Sequence, residues 1–284
     1  MLQPSTFQLL RFQFSFFLMP VFWFAISQVG TVEIPDAILV FVILHLLVYP
    51  SSNGYNSYMD RDTGSIGGVK SPKPPTRQLF TISVVMDILA IGLSLFISIY
   101  FSVGILLYIL ASRAYSYRGI RLKKYPFLGY ITVIIFQGAV TYFLVKHGCS
   151  RDHSLAVSPL AMLGASLLVG GSYPLTQIYQ HNQDRKDGVR TISIVFGYRG
   201  TFIFTAIIYF LAMVVLGIYF ASNLELDRFF ILQIFLLPVL VYFFRWFYQV
   251  YKDESSADFK NTMRLNVLAS ICTNAGFITL LILN

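Results

Sequence analysis

The chain has 284 residues, of which 56% are hydrophobic and 12% charged, and its mean hydropathy is +0.67. A soluble core cannot hide that much apolar surface, so the composition excludes an ordinary water-soluble domain and assigns the chain to a bilayer. The net charge of +8 does not indicate a nucleic-acid partner, because Lys and Arg fall in short gaps between apolar runs and form no basic stripe.

Runs long enough to cross a bilayer need roughly 17 to 25 residues each. In chain order they fall near 8–29, 36–55, 79–98, 101–117, 126–146, 155–179, 201–221, 228–250 and 263–283. The expectation is an all-α membrane protein of nine transmembrane helices, one domain over residues 1–284. The first run is interrupted by Pro20 and lacks a small-residue cleavage site, so it reads as a retained helix and not as a signal peptide. Between Leu79 and Tyr117 the only charges are Asp87 and Arg113, and a single helix of that length is physically unfavourable, so the run is split near Tyr100. In the sixth run, Gly164, Gly170 and Gly171 point to close helix approach. Eighteen basic residues fall on the side of the N-terminus and the even-numbered loops, against three (Lys146, Arg151 and Arg228) on the other. That bias puts the N-terminus and the even loops in the cytoplasm, in a membrane of bacterial plasma-membrane type. Cys149 and Cys272 have neither disulfide nor zinc spacing.

One phrase occurs twice. Tyr49-Pro50, Tyr55-Asn56, Asp60-Arg61 and Gly64 return as Tyr173-Pro174, Tyr179-Gln180, Asp184-Arg185 and Gly188, at a constant offset of 124 residues. In each copy an amide precedes an aspartate by four positions, which puts both on one face of a helical turn. Two acidic turns at the mouths of membrane helices describe one site made of two pseudo-equivalent halves, where metal ions meet an anionic substrate.

The loops carry a more specific pattern. After the second run the chain reads Asn56-Ser-Tyr-Met-Asp60-Arg-Asp62-Thr-Gly64, and after the sixth Gln180-His-Asn-Gln-Asp184-Arg-Lys-Asp187-Gly188-Val-Arg190-Thr191. Between them lies Tyr115-Ser-Tyr-Arg118-Gly-Ile-Arg121-Leu-Lys123. These motifs, their order and the helix count resemble the UbiA superfamily of intramembrane prenyltransferases, with its N-x-x-x-D-x-x-x-D and D-x-x-x-D motifs. The middle stretch is similar to that of chlorophyll-synthase-like and menaquinone-pathway members. Two positions depart from the pattern: Gly64 stands where the first motif ends in aspartate, and Gln180 where the second begins with one.

The resemblance implies Mg2+-dependent transfer of a polyprenyl group from its diphosphate to an aromatic or other apolar acceptor, in quinone or prenyl-lipid biosynthesis. Asp60 with Asn56 would hold one ion and Asp184 with Gln180 the other, with Asp62 and Asp187 as supplementary carboxylates. Hard oxygen donors of this kind suit magnesium and the neutralisation of a leaving diphosphate. Arg77, Lys123 and Arg190 are candidates to clamp phosphate oxygens, and Tyr115, Tyr173 and Tyr179 to stabilise an allylic cation. The implied partners are a prenyl diphosphate donor, an apolar acceptor and the bilayer.

Other readings stay open. The same fold could serve a non-aromatic acceptor or a cyclisation, a carrier would also have repeated halves, and the two departures would suit a non-catalytic assembly partner. Asp87, inside the third run, is either functional or hydrogen-bonded to a neighbouring helix. His45 reads as packing and His181 as a solvated loop position. Arg118, Arg121 and Lys124 are equally suited to anionic lipid and to substrate.

Overall fold

The computed structural model describes residues 2–61 and 64–283. Among these the chain is helical between its loops, and β pairing is limited to the isolated bridges Val32–Ser150 and Ile66–Val69. The helices are α1 (Pro4–Leu10), α2 (Met19–Ile26), α3 (Ile34–Asp60), α4 (Arg77–Ser94), α5 (Ile99–Ser116), α6 (Pro126–Cys149), α7 (Pro159–Gln177), α8 (His181–Lys186), α9 (Ile192–Ser222), α10 (Leu226–Lys252) and α11 (Phe259–Ile282). Local chemistry sets several starts. Proline opens α1, α3, α6 and α7, where its missing N–H costs nothing. Ser98, Ser158, Thr191 and Asp258 cap α5, α7, α9 and α11 by accepting a backbone N–H.

Seven of these helices, α3 to α6 and α9 to α11, are long and apolar enough to cross a membrane, and an eighth crossing is made if the bent N-terminal pair is one span. That pair, Pro4–Phe17 and Met19–Ile26, turns by 43°. The chain there passes from α1 through a left-handed Arg11 (φ 50°) into the 3-10 stretch Phe12–Phe17. The sixth apolar run appears as α7, 19 residues long but diluted by glycine, serine and proline, and it is not among the seven. The run expected to divide near Tyr100 divides just before it, where α4 ends and an extended Ser98 caps α5.

The bundle is apolar on its outside, as a bilayer requires, and its centre is also packed mainly with apolar side chains. Phe96, Phe210 and Leu237 face outward, while Phe24 stacks on Phe277 (4.8 Å between ring centroids) and tilts against Tyr142 in the centre. The glycines of α7 serve close approach: a Cβ at Gly164 would come within 2.7 Å of Leu216, at Gly170 within 2.6 Å of the Tyr130 hydroxyl, and at Gly171 within 2.9 Å of the Tyr209 ring. Both α3 and α6 contain a π-helical stretch, Val42–Val48 and Ile134–Val140. His45 is packing material, bonded to Ser15 at 2.7 Å and stacked on Phe41.

Candidate active site

The first repeat unit lies on the last turns of α3. The helix continues through Asn56 to Asp60 and ends because Arg61 turns left-handed (φ 55°). Helical spacing therefore holds Asn56 and Asp60 on one face. Asn56 Nδ2 donates to Ser116 Oγ at 2.9 Å, tying the motif to the end of α5. The Asp60 side chain is only 4% exposed. It pairs with Lys123, and Arg121 Nη2 stands 3.7 Å from its Oδ1. That Oδ1 is buried and accepts no hydrogen bond among the described residues.

The second unit begins with a 3-10 turn over Ile178–Gln180 that leads into α8, and Gly188 (φ 66°) reverses the chain after it. Asp184 O accepts from Val189 N at 2.8 Å, which closes the turn. His181, expected to be a solvated loop position, is instead buried at 1% exposure. Its ring stacks on Tyr198 and its Nε2 bonds Ser193 Oγ at 2.7 Å, because α8 folds back over the start of α9. Burial, reinforced by the Arg185 charge, pushes its pKa down to about 4.

The two units meet across one cavity of about 200 Å³. Asn56 and Asp60 of the first line it together with Gln180, Asp184 and Asp187 of the second. Lys123, Tyr115, Tyr173 and Tyr179 complete the set, and the Tyr115 and Tyr173 hydroxyls are hydrogen-bonded to each other across α5 and α7. Arg77 and Arg190 are exposed and do not line the cavity. Asp62 lies outside the described residues.

The departures at Gly64 and Gln180 are also in contact with the opposite motif. Gly64 N donates to Gln183 Oε1 at 3.1 Å, and Gln180 Nε2 donates to Ser65 O at 3.1 Å. This pair of hydrogen bonds fastens the loop after α3 to α8 and to the turn before it. Gly64 lines a second pocket of about 550 Å³, shared with Gln180, Gln183, Asn182 and Phe259, and does not line the motif cavity.

Three residues were missed as site residues, and a fourth was read as equally suited to lipid and to substrate. Arg11, buried at the break after α1, lines the cavity, held by Asn53 O at 3.3 Å and Gly67 O at 3.5 Å. It is the only charge in the first apolar run, a signal that was absorbed into the topology count. Gln177 lines the cavity one turn from Tyr173 and Ser116 lines it beside Tyr115, while Arg121, read as equally suited to lipid and to substrate, approaches Asp60. The donor set fits magnesium: the facing carboxylates and amide oxygens are hard ligands, and one buried carboxylate oxygen remains unbonded. No group of three His, Cys, Asp or Glu side chains able to cage a metal occurs among the described residues. Magnesium needs no such cage where substrate phosphates and water fill its sphere.

Bundle and cavity together define a helical protein with several membrane-length helices and one cavity lined by both repeated motifs. The profile of the UbiA prenyltransferase family matches residues 17–268, and the chain belongs to that family. Solved structures share the fold at low identity. A UbiA homologue from Archaeoglobus fulgidus superposes with a TM-score of 0.69 at 15% identity, covering 98% of this chain and 99% of that one. The same homologue bound to DMAPP and Mg2+ gives 0.65 at 15% identity, covering 98% and 99%. A digeranylgeranylglyceryl phosphate synthase in membranes gives 0.62 at 18% identity, covering 97% and 98%. No curated protein matches the sequence.

Proposed function

We propose that this protein transfers a polyprenyl group from a prenyl diphosphate to an aromatic or other apolar acceptor, with Mg2+ held at the cytoplasmic mouth of a nine-spanning bundle whose N-terminus is cytoplasmic. The convergence of Asp60 and Asp184, one from each repeat, on a single cavity that also holds Lys123 carries this reading. Asp60 with Asn56, and Asp184 with Gln180, would hold magnesium, supplemented by Asp187 and Asp62. When bound, the metal supplies the positive charge that lets the allylic C–O bond ionise. Lys123 and Arg11 add fixed cations for the diphosphate oxygens. Arg77 and Arg190, exposed, act by drawing the anionic donor to the mouth. Tyr115, Tyr173 and Tyr179 offer aromatic faces to the allylic cation, each worth roughly 0.5–2 kcal/mol. The fit of this site to a lipid diphosphate, and its place in a membrane, support quinone or related prenyl-lipid synthesis as the setting.

The test is incubation of the purified protein with a panel of prenyl diphosphates, Mg2+ and lipid extract, with pyrophosphate release and mass spectrometry as readouts. Metal-dependent release and a prenylated product support the reading. Absence of release with every donor, together with wild-type binding of a partner membrane protein, moves the assembly role ahead.

A further inference from the structure

Two charges in the bundle have no part in the cavity. Asp87 lies on α4 and Arg113 on α5, and neither is among the residues lining the cavity. They form an ion pair in which Arg113 Nε donates to Asp87 Oδ2 at 3.0 Å and Nη2 reaches the same oxygen. A carboxylate inside a membrane segment is costly, and where only packing is needed an apolar pair of similar volume serves as well or better.

The pair does more than join α4 to α5. Ser51 of α3 accepts from Arg113 Nη2 at 2.6 Å and bonds Asp87 Oδ1, so three helices converge on one hydroxyl. One turn later on α3, the Arg113 guanidinium lies over the Tyr55 ring, 4.1 Å from its centroid. Gly54 makes this closeness possible: a Cβ there would come within 2.6 Å of Ser83 Oγ and 3.0 Å of Leu79. At 3.6 residues per turn, Asn56 and Asp60 stand roughly 100° and 140° round α3 from Tyr55. The face that Arg113 grips is thus turned away from the face that carries the metal ligands. Upstream, the π-helical stretch Val42–Val48 departs from α-helical winding, so the first half of α3 does not by itself fix the rotation of the last turns.

We propose that Asp87 and Arg113 are positioning residues for the first motif: by gripping Ser51 and Tyr55 they set the rotation of α3 that aims Asn56 and Asp60 into the cavity. The inference rests on the diphosphate reading above and assigns a role to side chains which that reading leaves idle. Arg113 also lies one turn before Ser116, the partner of Asn56, so the same helix that grips Ser51 and Tyr55 holds the first residue of the motif.

The test uses the full-length protein in lipid nanodiscs, with Mg2+ and inorganic pyrophosphate as the probe, binding measured by calorimetry and unfolding by a thermal melt. The double variant Asp87→Leu/Arg113→Leu removes both charges together. The expected result is a melting temperature at or above wild type with pyrophosphate affinity weakened about tenfold. A double variant that binds like wild type overturns the proposal, because the pair would then serve packing alone. Arg113→Lys and Ser51→Ala, milder changes, keep the question decidable should the double variant fail to fold. Both are expected to weaken binding several-fold with little change in melting, and wild-type affinity in both likewise overturns the proposal. A wild type that does not bind magnesium pyrophosphate at all refutes the donor reading itself, a separate outcome from a wild type that binds and variants that match it.

Discussion

Gly64→Ala tests what the uncharged clasp contributes. An ideal Cβ at this position lies 2.3 Å from Gln183 Oε1, so the amide oxygen must withdraw by about 0.7 Å to reach the 3.0 Å below which real contacts essentially never fall. The Gly64 N to Oε1 bond, now 3.1 Å, then opens to about 3.8 Å, beyond hydrogen-bond range. One such bond is worth about 1 kcal/mol, a factor of about five in an equilibrium. Because the clasp holds α8, and α8 carries Asp184, the Mg2+ concentration for half-maximal pyrophosphate release should rise about fivefold. Gly64→Asp restores the aspartate of the family pattern, yet it should do no better than alanine: Gly64 lines the second pocket and not the motif cavity, and the new carboxylate would meet the Gln183 carbonyl oxygen. Gln183→Ala should reproduce the alanine effect, and the two changes together should cost no more than either alone, as expected for partners in one contact. The measurement is a Mg2+ titration of each variant over the same donor. A Gly64→Asp protein that needs less magnesium than wild type would refute the reasoning, since the position would then address the metal directly.

Asp60→Asn and Asp184→Asn should each lower turnover by at least about a hundredfold, read as initial rates across a Mg2+ titration; near-native rates in both would remove the two-motif site. His181 predicts a pH dependence. Its folded pKa of about 4 lies below the ordinary 6.5, so the stabilisation is full above pH 6.5 and is lost as pH falls toward 4, by about 3 kcal/mol at the limit. Thermal melts between pH 7 and 4.5 should show that slope, and His181→Gln should lose its share of it. Orientation is tested by single cysteines in a background lacking Cys149 and Cys272: Lys70→Cys and Ile120→Cys should react with impermeant thiol reagents from the cytoplasmic side and Ser154→Cys from the other. Labelling of Lys70→Cys and Ile120→Cys from opposite sides would break the assignment.

The all-helical class was legible because an apolar run in a bilayer has few alternatives to a helix. The repeat at a fixed offset was legible too, since it needs only a comparison of the chain with itself, and the aspartates it singles out lie on one cavity. The sequence also separated α4 from α5 near Tyr100, and the structure puts the break just before it, with Ser98 as the cap of α5. What pattern reading missed depends on contacts between distant segments. Nothing near His181 announces that Ser193 and Tyr198 will enclose it. Arg11 looks like a topology signal until the break after α1 turns it into the cavity. The meaning of Gly64 lies in Gln183, 119 residues away, and no local motif could carry that information.

The glycine-dependent packing of α7 also bears on how the chain is made. In the finished bundle its glycines and serines are covered, most extensively by α9 and then by α6. A nascent chain that has emitted only residues up to about 190 has no α9, so Gly164 and Gly171 lack the Leu216 and Tyr209 side chains they pack against. The close packing of α7 can therefore form only once Ile192–Ser222 has emerged. A chain stopped before α9 should leave α7 loosely held and open to protease, and one stopped just after α9 should protect it. The close packing that brings the second motif to the cavity thus imposes an order of events on synthesis.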